Sequence, residues 1–279
     1  KIGVTDKISL FIYTRGGALI VPLKIVKLIK SYCNKFEILI PYRCHSAGTL
    51  IALGADNIVM GKLGELSPVD PSTTHPFNPQ NPVVSQEKLP ISVEDLNSYL
   101  LFAKEMAKVD NDKMIEVFKY LVENIHPLSL GNAYRVYRIG KMISEKLLKL
   151  HMNEKTEKDK IESILKEITG ETLCIHEYPI YRDEAKNIGL DVEIPDKDLE
   201  EKLWELYEAY EGEMKLNIPF YPAEVLGDKE MANAKYIGAC IESRDLLNQF
   251  IYNVNVTKTS IDGKSSFNLN ILSSKWEVV

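Results

Sequence analysis

Apolar residues in the first sixty positions fall into short runs separated by glycine-rich or polar breaks. "KISLFIYT" (7–14) is β-branched and aromatic, the pattern of a buried strand. It stops at "RGG", where paired glycines open backbone conformations closed to other residues. "LIVPLKIVKLIKSY" (19–32) then repeats apolar residues at helical spacing, with Lys24, Lys27 and Lys30 on the other face. "FEILIPY" (36–42) predicts a second strand, "AGTLIALGA" (47–55) a nearly all-apolar helix, and "NIVMG" (57–61) a third strand. Strands alternating with helices imply parallel pairing and right-handed crossovers, hence an α/β core.

The texture changes at 67–90, "SPVDPSTTHPFNPQNPVVSQEKLP", where six prolines in 24 residues predict a long irregular loop. Ser92, with Asp95 three residues on, marks the start of a helix through "SVEDLNSYLLFAKEMAKV". Helical patterns continue in "DKMIEVFKYLVENI", "NAYRVYRIGKMISEKLLKLH" and "IESILKEIT", with a solvated charge run at 153–160. "ETLCIH" (171–176) reads as a strand, and "YRDEAKNIG" as a helix ended by Gly189. A charged helix is expected over 196–214. Beyond it, alternation on both sides of "IDGK" predicts a hairpin with Asp-Gly at the turn, within a small antiparallel appendage. The domain expectation is therefore an α/β domain with a helical insertion over 1–195, and a charged helix plus β appendage over 196–279.

Charge and composition narrow the partners. A net charge of −6 and the lack of a basic cluster argue against nucleic acid. Cys33, Cys44, Cys174 and Cys240 are far apart and form no CxxC pair, so neither a metal site nor a disulfide framework is expected. No nucleotide-binding glycine motif occurs, and no cofactor is expected. No run is apolar enough to span a bilayer. The chain does not begin with Met and enters a strand almost at once. The fold's first elements, and any membrane anchor, are expected upstream, and the location is read as cytoplasmic or membrane-associated.

Candidate chemistry centres on "IPYRCHSAGTLIALGAD" (40–56), which puts Ser46 where a strand hands over to a helix. Acyl transfer needs a nucleophile, a base, and N–H donors where the oxyanion develops. Ser46 sits beside the free N–H groups of a helix start, and Gly16 and Gly17 end the preceding strand. In a parallel sheet both junctions fall on one edge, so a substrate carbonyl would fit between Gly17 and Ala47. The plainer alternative is Ser46 as a helix N-cap.

Gly17 and Ser46 are 29 residues apart with one helix and one strand between them. This arrangement resembles Clp-type peptidases. "CHSAGTLIALGADNIVMGKLGELSPVDP" is similar to the serine dehydrogenase proteinase family, a branch of the Clp-peptidase and signal-peptide-peptidase-A class. "HPLSLGNAYRVYR", "HEYPIYRDEAKNIGL" and "ACIES" are similar to later blocks of that family. The resemblance implies a Clp/crotonase-like α/β fold with a helical C-terminal half, and a serine endopeptidase acting on a peptide or protein substrate. It implies Ser46 as nucleophile, Gly17 and Ala47 as oxyanion donors with Gly16 beside them, and a homo-oligomer.

The base does not transfer. Where Clp peptidases carry a histidine about 25 residues after the serine, this chain reads "SPVDPS", with Asp70 but no His. Signal-peptide-peptidase-A relatives use a lysine 40 to 50 residues on, and Lys88 lies 42 residues after Ser46. Lys88, His126 and Asp70 (as orienting group) are the candidates, each against a structural reading. His45, adjoining Ser46, is read as structural or substrate-shaping, His75 as a loop residue able to fold over the site, His151 as a helix-end residue and His176 as structural. Two rival functions remain: a crotonase-like thioester enzyme using only the oxyanion hole, and a non-catalytic scaffold.

Overall fold

The computed structural model describes residues 3–82, 87–169, 178–261 and 264–279. Two compact units divide the chain, Val4–Leu203 and Trp204–Val279.

In the first unit, β1 (Thr5–Phe11), α1 (Ile20–Lys30), β2 (Cys33–Ile40), β3 (Arg43–Cys44), α2 (Ala47–Leu53), β4 (Asn57–Met60) and β5 (Glu65–Leu66) follow in order. Next come α3 (Val93–Leu101), which runs into a π-helical turn, α4 (Met114–Asn124), α5 (Pro127–Leu148) and α6 (Lys158–Ile168). β6 (Ile180–Tyr181), α7 (Arg182–Ile188) and β7 (Val192–Glu193) complete the sheets, and α8 (Lys197–Met214) runs across the boundary between the units. The main sheet has the order β1-β2-β4-β7, all parallel. The expected α/β architecture is thus present, with an antiparallel sheet in the second unit.

Residue type explains the layering. β2 pairs on both sides, and β4 is buried throughout, so both read as near-continuous apolar runs rather than as alternations. Phe36, Ile38, Ile40, Leu50, Leu53 and Met60 form the centre of one core, closed by Ile143, Leu147 and Leu148 of α5. A polar row crosses the sheet within it. Ser9 Oγ donates to Glu37 at 2.8 Å, and Asn57 Nδ2 donates to Glu37 at 2.9 Å and to Glu193 at 2.8 Å. Burial raises the cost of charge on Glu37, but hydrogen bonds from Lys7, Ser9 and Asn57 outweigh it and hold its pKa below the ordinary carboxylate value.

The proline-rich segment is more organised than an irregular loop. Thr73 bridges Ile91, Gln80 bridges Lys88, and buried Asn78 donates to the carbonyls of Thr73 and Leu89 at 2.9 and 2.8 Å. Ser92 and Asp95 close a full capping box at the start of α3. Gly189 ends α7 in the left-handed region, φ +111°. The strand expected at 171–176, with Cys174 and His176, lies outside the described residues.

The second unit contains α9 (Pro222–Leu226), β8 (Met231–Ser243), β9 (Leu246–Ile261) and β10 (Lys264–Val278), paired antiparallel in the order β10-β9-β8. The hairpin predicted from "IDGK" joins β9 to β10, its Asp262-Gly263 turn being outside the described residues. These strands, at 13 to 16 residues, are longer than the sequence pattern suggests. Among the described residues no helix is long and apolar enough to cross a membrane.

Candidate active site

The chain reaches Ser46 through a short ladder. Thr14 N–H donates to the Arg43 carbonyl at 2.9 Å, and His45 N–H donates to the Thr14 carbonyl at 3.0 Å. This parallel bridge between Thr14 and Cys44 brings the glycine pair against the serine. A Cβ on Gly16 would lie 3.1 Å from Ser46 Cβ and 3.5 Å from Ser46 Oγ, and Gly16 has φ +120°. Glycine is therefore required there twice over, by contact and by conformation. A Cβ on Gly17 would meet nothing within 4 Å, so the space beside it is open.

Ser46 itself is strained, with φ +51° and ψ −105°. A non-glycine residue in such a region costs about 1–3 kcal/mol and persists only when its surroundings over-determine it. Here they do. Ser46 N–H donates to Ser67 Oγ at 2.9 Å, and the Ser46 carbonyl accepts from Leu50 N–H at 3.1 Å. Ser67 is held in turn by Thr49, whose Oγ1 accepts from Ser67 N–H at 3.1 Å. The Thr49 hydroxyl proton has the carbonyls of Ser67 (2.8 Å) and Cys44 (3.1 Å) within reach. Both side chains are buried, where unmade hydrogen bonds are costly. Gly48 completes the packing, since a Cβ there would fall 2.5 Å from Thr14 Cγ2.

The Ser46 hydroxyl makes no capping hydrogen bond to α2. The N–H groups of Gly17 and Ala47 have no hydrogen-bond partner among the described residues, whereas Gly16 N–H donates to Thr14 Oγ1 at 3.1 Å. His45 turns its ring away from the role of base: Nε2 lies 3.1 Å from Glu65 Oε1, which also accepts from Arg43 Nε at 3.2 Å. Arg43 in turn stacks over Tyr42, 4.8 Å from the ring centre. Cys44 is fully buried, and burial pushes its thiol pKa up, so it is an inert core thiol.

Among the described residues, Ser46 Oγ is hydrogen-bonded to none of the three other candidates. Lys88 lies on the Gln80 bridge. Asp70 is buried next to Val69, whose N–H donates to the Ile168 carbonyl at 2.7 Å. His126 caps α5, its Nδ1 accepting from Leu128 N–H at 3.2 Å, and its ring stacks on Phe77 with centres 4.3 Å apart. His75 accepts from Phe77 N–H in the same way. His151 bonds the Leu53 carbonyl at 2.9 Å, where α2 ends. A cavity of about 610 Å³, with Leu53, Asp56, His151, Lys160 and Lys186 on its walls, lies at that end of α2, opposite Ser46. Among the described residues no group of three or more His, Cys, Asp or Glu side chains is set to hold a metal.

Sequence reasoning passed over Thr49, Ser67 and Glu65. Ser67 stands in the quoted block "GELSPVDP", but nothing local distinguishes it from a turn serine.

Residues 3–126 match the model of the ClpP-like SDH-type serine proteinases. This segment is similar to that family. Every residue of the Ser46 cluster lies inside the match. The family is one of serine proteinases with a ClpP-like fold, and the parallel α/β sheet of this chain is consistent with it. Two relatives come from Methanocaldococcus jannaschii. Uncharacterized protein MJ0137 is 29% identical over 205 residues, 73% of this chain and 58% of its own length. Uncharacterized protein MJ1495 is 27% identical over 232 residues, 82% of this chain and 66% of its own length. The chain thus spans roughly six-tenths of the curated relatives it matches. No solved structure gives a significant match.

Proposed function

We propose that the chain is a serine endopeptidase in which Ser46 attacks the carbonyl of a peptide bond. The observation that carries this reading is the strained Ser46 backbone, whose hydroxyl caps nothing and which stands against Gly16. Strain of this kind is a poor solution for a mere helix cap, because an ordinary N-cap residue has extended backbone angles.

In the proposed reaction, Ser46 Oγ adds to the carbonyl carbon and gives up its proton to the base. Charge develops on the carbonyl oxygen, and the N–H groups of Gly17 and Ala47 stabilise it. Gly16 acts sterically, clearing the approach to Oγ. The base returns the proton to the leaving amine, and water then hydrolyses the acyl-serine. The base is Lys88 or a histidine, His126 first among them, brought to Ser46 with substrate or by assembly. Catalytic hydrogen bonds are often long or unmade in the free enzyme, so their absence here does not remove a candidate. Asp70 orients the base. The substrate is a peptide or protein, and the working form is a homo-oligomer.

The test is labelling of the folded protein by a fluorophosphonate, with Ser46→Ala as control, followed by hydrolysis of a quenched casein substrate. Labelling lost in Ser46→Ala supports the reading, and Lys88→Ala and His126→Ala then sort the base. A folded protein that neither labels nor cleaves would overturn it, in favour of the thioester enzyme or the scaffold.

A further inference from the structure

The second unit ends in a strand whose outer edge is open. β10 pairs with β9 on one side, and no strand pairs with its other side among the described residues. Such an edge presents a row of unpaired N–H and C=O groups, and proteins usually blunt it with charge, proline or a bulge. The opposite edge, β8, is blunted in this way, carrying Lys235, Gly238 and Glu242 and a register shift between Ile237 and Ala239. β10 differs. From Ser266 to Ser274 it reads "SFNLNILSS", with no charge, no proline and no glycine.

The side chains add a second argument. Leu269 pairs with Val256 and Ile271 with Val254, so they share a face with residues that are 0% and 5% exposed. That apolar face is closed over β9, yet on β10 Phe267, Leu269 and Ile271 remain 40%, 48% and 60% exposed. The opposite face is polar, with Asn233, Asn255 and Asn270 in one cross-strand row. Along β10 the sequence "FNLNI" (267–271) is a palindrome in character about Leu269.

We infer that the β10 edge is a two-fold interface between copies of this chain, with Leu269 on the axis. Antiparallel pairing about that residue sets Leu269 against its own copy and Phe267 against Ile271 of the other. Asn268 then faces Asn270. Each apolar side chain meets an apolar one on the same face, and each asparagine meets an asparagine on the other. A two-fold perpendicular to the sheet keeps the apolar faces on one side. One six-stranded sheet results, which satisfies the open backbone row and covers the exposed apolar row together. Such self-complementarity is what an isologous contact requires, and an unrelated peptide would have no reason to match it. The inference does not depend on Ser46 chemistry.

Multi-angle light scattering on the purified full chain tests it. The mass is expected at an even multiple of the monomer, halved by Leu269→Lys, which sets two like charges against each other. Far-UV circular dichroism of that variant checks that it is folded. Oxidative cross-linking supplies a readout that survives if Leu269→Lys unfolds. Residues paired across the axis have Cα atoms about 4.5–5.5 Å apart, within disulfide range. Leu269→Cys should therefore cross-link to a covalent dimer. Phe267→Cys should not, because four residues along the strand separate it from its copy by roughly 13 Å. A monomeric wild-type chain, or an oligomer in which Leu269→Cys cross-links no better than Phe267→Cys or the wild type, overturns the interface.

Discussion

Gly16 and Gly17 are neighbours in sequence with opposite structural demands. A methyl group on Gly16 would press on Ser46 Cβ at 3.1 Å while φ is +120°, whereas one on Gly17 would project into open space. Gly16→Ala is expected to cost about 1–3 kcal/mol of stability. It should also slow fluorophosphonate labelling by roughly 100-fold, the penalty for displacing a reacting atom by about 1 Å. Gly17→Ala should stay within about 0.5 kcal/mol of the parent, as surface substitutions usually do. Chemical denaturation and labelling rates measured on both variants check the contrast, and equal effects would mean that the glycines serve only as a turn. The pair was legible in the sequence because a doubled glycine after a strand is a local signal. Thr49 and Ser67 were not. Their value lies in one buried hydrogen-bonded contact across 18 residues, and no spacing rule encodes a contact that distant.

At the scale of elements, legibility followed length. β1, α1, β2, α2 and β4 lie close to where hydrophobic periodicity put them, because each is long enough to show a period or a bounded apolar run. β3, β5, β6 and β7 have two residues each and carry no period at all. They are fixed by what lies beside them, as Arg43–Cys44 is by Thr14 and by Glu65–Leu66. The junction of α5 with α2 was also hidden. There the ring of His151 meets the Leu53 carbonyl, both residues lining the cavity. Loss of hydration holds its pKa below the ordinary histidine value, with the nearby Lys30 charge in the same direction; the Leu53 hydrogen bond opposes them. A lowered folded-state pKa means that the unfolded chain binds more protons between the two pKa values, so stability rises with pH across that window. The contribution of His151 is full above about pH 6.5 and is lost as pH falls below it. Thermal melts at pH 7.5 and 5.5 should therefore differ less for His151→Gln than for the parent. An unchanged difference would show that the ring titrates as if free.

On the scale of the molecule, the two units bury separate cores. The first gathers residues from Val26 to Val192 around β2, α2 and β4. The second rests on Leu226, Ile251, Val254 and Val256, with Tyr207 buried as well. The family match covers residues 3–126, so the proposed chemistry would draw on the first of these cores alone. Ser46 is over-determined by Thr14, Gly16, Gly48, Thr49 and Ser67, all of that same unit. Damage to the second core is then expected to leave the geometry at Ser46 intact. Val256→Ala removes two methyl groups from a fully buried site at the centre of the β8–β10 sheet. It should cost that unit about 2 kcal/mol, in the range for large-to-small core changes. Fluorophosphonate labelling of Ser46, measured below the onset of unfolding, should proceed at the parental rate. A labelling rate that falls with the stability of the β unit would show instead that the serine depends on the second core, and the site would then have to be drawn across the whole chain.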